Sequence, residues 1–268
     1  KYVKPEIEKA LEVKKEVDGK AYKGTEDFEF EMAEDAGNDK SGYEMPTNVK
    51  ATAKNGKTAV FDKINFVKDG TYFFTITEKK GSSSGMAYDT TARYAKVEVT
   101  YNKQTKGYDA TVTYGKDKTS CSDSSLTVTN VYTVGDLKVT KVVNSSDPAD
   151  NNIEFTFKVV LNDKTINGTY GTGSTAITFK DGESETFKLK SGESKVATDL
   201  PTGIEYKVSE IIDQTTNMFD PDWNKTNEGV ITKGTEAEAT CTNAHNGEYG
   251  QTDILVKKLW TDSKGNPY

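Results

Sequence analysis

Apolar and polar residues alternate along this chain in short runs, with the period of two that places every second side chain on one face of a strand. The clearest runs are Phe28–Met32, Thr71–Glu78, Ala95–Tyr101 and Ala110–Tyr114, the last two joined by a turn through Gln104–Gly107. A second set begins at Leu137 and includes Glu154–Leu161, Glu185–Leu189 and Ile204–Glu210. The runs are rich in Thr, Tyr, Val and Phe and are separated by Gly, Asp, Asn and Lys, which predicts an all-β sandwich class. One segment is open to two readings: Pro5–Val17 has a proline suited to a first helical turn, whereas Leu11, Val13 and Val17 alternate as in a strand. The alternation favours a strand from Leu11 onward.

The pattern divides the chain into a lead-in (1–10), a first sandwich (11–132), a second sandwich (136–245) and the start of a third unit (251–268). Thr133–Gly135 and Asn246–Gln251 read as linkers. Both halves follow one order of events: a first strand carrying lysine, a middle strand ending in glutamate, and a last strand carrying asparagine.

Parity shows which polar residues fall on an apolar stripe. Lys15 follows Leu11 and Val13, Glu78 follows Tyr72, Phe74 and Ile76, and Asn130 follows Leu126 and Val128. In the second half, Lys141 follows Leu137 and Val139, Glu210 follows Ile204, Tyr206 and Val208, and Asn243 follows Ala239 and Cys241. Each core is therefore expected to receive an amine, a carboxyl and a carboxamide. Burial disfavours the charged forms, which leaves a free amine beside a protonated acid. A neutral amine is a nucleophile, and a carboxyl hydrogen-bonded to the asparagine carbonyl would make that carbon electrophilic and offer a route for protons to departing ammonia. The expected product is a Lys–Asn side-chain amide.

Composition narrows the classes further. The 268 residues carry a net charge of -7, with both signs interspersed, which argues against nucleic acid or an anionic membrane as partner. Cys121 and Cys241 are too few for a disulfide framework, and with His245 alone for company they make no zinc site. Neither cofactor nor metal is expected. No apolar run approaches a membrane span, and no signal peptide or sorting signal is evident; because Thr252–Tyr268 look like the beginning of a further unit, the chain reads as an excerpt of a larger protein.

At the triad residues the sequence resembles a known family. The runs Leu11–Lys15, Phe74–Glu78 and Leu126–Asn130 resemble the lysine, glutamate and asparagine strands of the streptococcal pilin isopeptide-linkage domain, and Lys68–Glu78 and Met86–Thr90 resemble its central region. Leu137–Lys141, Lys180–Ser184, Leu200–Gly203, Tyr206–Glu210 and Thr240–Asn243 resemble the C-terminal domains of streptococcal major pilins and related Cna B-like domains. The resemblance implies two tandem immunoglobulin-like sandwiches in an elongated rod, with first and last strands cross-linked by Lys15–Asn130 and Lys141–Asn243 and with Glu78 and Glu210 as catalytic acids. Ile254–Asp262 is similar to the opening strand of a Cna B-type domain, with Lys258 as a lysine left unbonded.

The implied function is the shaft of a pilus or adhesin on a Gram-positive cell wall, outside the cell. It is not an enzyme beyond single-turnover bond formation. Its partners would be neighbouring domains of the same polypeptide, sortase-linked subunits and a host receptor. A ligand-binding adhesin domain is the alternative. No Tyr-Pro-Lys motif is present, which leans toward a single-chain adhesin stalk over a polymerising subunit. Gly81–Gly85 fits a hydrolase nucleophile elbow around Ser83, but strand-like sequence follows it where a helix is required. Asp220–Asp222 with Asn224 reads as an acidic turn, His245 as a linker residue, Cys121 as part of a polar loop, and the sequons at Asn144, Asn167 and Asn224 as idle in a bacterium.

Overall fold

A computed structural model of the chain describes residues 5–245. The chain divides into two compact units and passes from the first to the second between Asp136 and Leu137. Both are built of β-strands with only short 3-10 turns between them, as the alternating pattern predicts.

In the first unit a five-stranded antiparallel sheet runs in the order Gly107–Gly115, Arg93–Asn102, Gly70–Glu78, Phe28–Glu34, Lys50–Ala53. Its inward positions are Phe30, Met32, Tyr72, Phe74, Ile76, Ala95, Val97 and Val99, all buried. A four-stranded sheet in the order Thr58–Val60, Glu12–Asp18, Thr127–Tyr132, Met86–Ala87 contributes Val13, Ala59 and Val128 to the same core. A third, three-stranded sheet brings Ile64 and Phe66 from one strand and Tyr43 from another against it. Tyr43 packs edge-on against Phe74 and Tyr72, at 5.4 and 5.3 Å between ring centres, and Phe66 closes the cluster.

Pro5 does not start a helix. Strands Ile7–Lys9 and Glu12–Asp18 follow it, and Leu11 sits fully buried in the break between them, because burying Leu11 and Val13 on one face outweighs the weak local helix signal. The lysine strand ends where Gly19, at φ 146°, passes Tyr132 so closely that a Cβ would lie 2.5 Å from its carbonyl oxygen. The expected linker Thr133–Gly135 is shorter than predicted, because the next strand, Val134–Ser145, already begins at Val134.

The second unit pairs Ser194–Pro201, Val134–Ser145, Glu236–His245 and Asp220–Asp222 in one sheet. Its other sheet centres on Phe155–Leu161 and Glu205–Ile211, which are antiparallel neighbours with Phe157 opposite Glu210. Asp220–Asp222, expected as a turn, is a short edge strand paired with Thr242–Ala244, a place where proline is tolerated. Cys121, expected in a polar loop, is buried, with its thiol 3.3 Å from the Asp117 carbonyl. Both cysteines are free thiols. Ser83 lies exposed in a loop and donates to Glu26.

The aromatic cluster gives a direct test of the first core. Truncating fully buried Phe74 to alanine should cost ~3–5 kcal/mol in chemical denaturation of the full chain. A loss below ~1 kcal/mol would mean that the ring is not a central packing element.

Candidate functional site

Each unit holds a buried Lys–Glu–Asn cluster between its two main sheets. In the first, the lysine strand and the asparagine strand are parallel neighbours, with Val128 opposite Lys15 and Asn130 opposite Val17. Lys15 and Asn130 thus stand two residues apart on the same inward face, about 7 Å along the strand direction. Glu78 reaches them from the facing five-stranded sheet. Its Oε2 accepts from Lys15 Nζ at 2.8 Å, and its Oε1 accepts from Asn130 Nδ2 at 2.5 Å. Lys15 and Asn130 are wholly inaccessible to solvent and Glu78 is 1% exposed.

The second unit repeats the arrangement on different strands. Lys141 and Asn243 lie on adjacent strands of one sheet, and Glu210 comes from the other. Glu210 Oε2 accepts from Lys141 Nζ at 3.2 Å, and Oε1 accepts from Asn243 Nδ2 at 2.8 Å. The side chains of Lys141 and Glu210 are fully buried, as is Asn243. All six residues selected by parity are therefore brought together, three in each unit. Lys258 falls outside the described residues.

Burial pushes both lysines below the ordinary ammonium range. For Lys15 the hydrogen bond and charge of Glu78 oppose the shift without reversing it. For Lys141 the opposing groups are Cys241 and Glu210. Aromatic rings provide much of the dry surroundings, with Phe28 4.7 Å from Lys15 Nζ and Phe155 4.1 Å from Lys141 Nζ. These rings were not identified from sequence, although a signal was present. Phe28-Glu29-Phe30 and Phe155-Thr156-Phe157 occur once per unit, and in both the second phenylalanine pairs with the triad glutamate, Phe30 with Glu78 and Phe157 with Glu210. Two residues earlier on the same face, the first phenylalanine lies beneath the lysine nitrogen.

The carboxamide is oriented differently from the sequence expectation. The glutamate bonds the carboxamide nitrogen rather than its carbonyl oxygen. In the first unit that oxygen instead accepts from the backbone N–H of Asp89 at 2.8 Å, and because a backbone N–H can only donate, the oxygen must face it. The carboxyl thus touches both the nucleophile and the nitrogen that would leave, while a separate donor polarises the carbonyl.

Each unit matches a known family model. Residues 11–133 match the family model described as a Spy0128-like isopeptide containing domain, FctA. The first unit is thus similar over nearly its whole length to a Spy0128-like isopeptide containing domain. Residues 135–245 match a domain of unknown function, DUF7601, so the likeness of its triad to that of the isopeptide domain rests on geometry. A pilin of Streptococcus pyogenes serotype M1 is 30% identical over 178 residues, covering 61% of this chain and 52% of that protein. The pilus tip adhesin Cpa of Streptococcus pyogenes is 42% identical over 65 residues, 23% of this chain and 9% of the adhesin. The chain thus spans about half the length of the curated pilin it matches. The crystal structure of the major pilin from Streptococcus pyogenes shares the fold, with a TM-score of 0.62 at 20% identity over 91% of this chain and all of that one.

His245 is not the linker residue expected. It is buried, with Nδ1 2.7 Å from Asp150 Oδ2, and Ser145 Oγ donates to the same carboxylate oxygen at 2.5 Å. The Ser145 hydrogen bond, followed by His245, holds Asp150 below its usual 3.8, against desolvation. A depressed carboxylate contributes stability above its unfolded value and loses it as pH falls through the folded one. The second unit should therefore melt progressively lower as pH is taken below 3.8. Asp150→Asn should lower the melting temperature at neutral pH, with a smaller difference from the native chain in acid. An equal difference at both ends would remove Asp150 from the acid response.

Proposed function

We propose that this chain is a segment of the structural shaft of a bacterial surface fibre, and that each unit locks itself by joining lysine to asparagine. One observation carries the reading: the same buried amine, carboxyl and carboxamide occur twice, linking the first and last main strands of each unit. The Lys15 ammonium passes a proton to Glu78, and the neutral amine attacks the Asn130 side-chain carbonyl carbon. The new C–N bond forms as the Asn130 Nδ2 bond breaks, and Glu78, already bonded to that nitrogen, supplies the proton that lets it leave as ammonia. Five protons are shared among ammonium, carboxylate and carboxamide at the start. Three leave with ammonia, one remains on the amide and one on the glutamate. Lys141, Glu210 and Asn243 carry out the same steps in the second unit. Each centre turns over once, so the chain is not an enzyme in the ordinary sense.

The purpose follows from where the bonds fall. Lys15 and Asn130 are 115 positions apart (130 minus 15), and Lys141 and Asn243 are 102 apart (243 minus 141). Closing loops of this length stabilises by about 4–5 kcal/mol each in the chain-entropy account. Mechanically, the bond joins the strands by which pulling force enters and leaves, and forced unfolding is governed by the unfolding rate that such a bridge suppresses. The extent of the pilin match, against the short stretch shared with the tip adhesin, favours a pilus subunit over a single-chain stalk. In this reading the partners are neighbouring domains and other subunits, on the outer face of a Gram-positive wall.

Intact mass under denaturing conditions should fall short of the sequence mass by two molecules of ammonia. An unchanged mass would refute the cross-linking. Glu78→Ala and Glu210→Ala should each retain one ammonia and melt at a lower temperature. Undiminished ammonia loss in either variant would take that glutamate out of the chemistry.

A further inference from the structure

The two centres differ in a side chain that lines them. Two residues before the asparagine, on the same inward face, the first unit has Val128 and the second has Cys241. Cys241 is fully buried, and its Sγ lies 3.1 Å from Glu210 Oε2, 3.4 Å from Asn243 Oδ1 and 3.7 Å from Lys141 Nζ. It touches every member of the triad. In the first unit the asparagine carbonyl is held by the Asp89 N–H, and in the second the thiol is within reach of the corresponding oxygen.

We propose that Cys241 is a catalytic residue of the second centre, donating its S–H to the Asn243 carbonyl oxygen as negative charge develops there. This role rests on the cross-linking reaction proposed above. A thiol has one proton and here faces two acceptors. While Glu210 is ionised, its nearer and charged Oε2 takes the S–H. Once Oε2 accepts the proton released by Lys141, it becomes a donor itself, and the S–H turns to Asn243 Oδ1. The transfer that frees the nucleophile therefore also frees the group that polarises its target. Burial and the Glu210 hydrogen bond push the thiol pKa up, so sulfur keeps its proton and acts as donor rather than nucleophile. No bond to sulfur forms or breaks, and the proton count of the reaction is unchanged.

The test compares full-length Cys241→Ala, Cys241→Val and Cys241→Ser with the native chain during cell-free synthesis. Ammonia loss is followed by intact mass, and each bond is assigned by peptide mapping. The Lys15–Asn130 bond in the same molecule is the internal clock and should form at the native rate throughout. With the S–H gone, Cys241→Ala and Cys241→Val should form the Lys141–Asn243 bond on the order of ten- to a hundredfold more slowly, since a thiol is a weaker donor than the amides of an oxyanion hole. Cys241→Ser, which keeps a donor, should stay nearer the native rate. Packing is controlled by melting each variant in a Glu210→Ala background, where no second bond forms. Should Cys241→Ala fail to fold, the Val and Ser pair carries the comparison, valine being the residue the first unit accommodates. Native-rate bonding in the Ala or Val variant would overturn the role of the thiol. Absence of the Lys141–Asn243 bond from the native chain would instead refute the reaction itself, and the role with it.

Discussion

A lysine nitrogen cannot lie unaccompanied in a hydrocarbon interior, and the design of both units answers that constraint. Desolvating an ammonium costs several kcal/mol unless it is paired or neutralised. Lys15 and Lys141 are fully buried, so each requires a carboxyl from the opposite sheet, and each carboxyl requires a further partner for its second oxygen. Asparagine fills that place in both units. A buried ion pair alone is a poor source of stability, often no better than the apolar residues that could replace it. The proposed conversion to an amide would remove the liability, since the product carries no charge where the ammonium stood.

The residues that depend only on strand parity were legible in the sequence. Lys15, Glu78 and Asn130, with Lys141, Glu210 and Asn243, fall on apolar stripes, and the period of two turns that into a statement about facing. Residues defined by contacts between strands were not legible in the same way. Phe28 and Phe155 belong to runs recognised as strands, but their position beneath a lysine depends on register between neighbours. The Asp89 N–H carries no side-chain signature at all. His245 continues the stripe of Ala239, Cys241 and Asn243, but its partner Asp150, 95 positions away, sits in a 3-10 turn where no alternation marks it.

Two cores of different sequence arrive at the same centre. The first is dominated by tyrosine and phenylalanine around Phe74, while the second brings Phe219 edge-on to Phe155, the ring beside Lys141. What they share is narrow: a glutamate at or next to the end of one strand, a neighbour carrying Phe-x-Phe in fixed register with it, and lysine and asparagine on adjacent strands of the facing sheet. The rest of each unit supplies burial and exclusion of water, requirements that many apolar sequences meet.

The parallel register between Lys15 and Asn130 has a consequence beyond holding the strands together. A slip of one residue in either strand would turn its reactive side chain to the outer face, away from Glu78. The amide proposed here can therefore form only after the sandwich has closed with every strand in place, and once ammonia has diffused away the step does not reverse. The bond then serves as a proofreading mark. A misregistered chain would stay unsealed and free to unfold and try again, while a correctly assembled one would be made permanent, so a population of folding molecules would be sorted by its own chemistry.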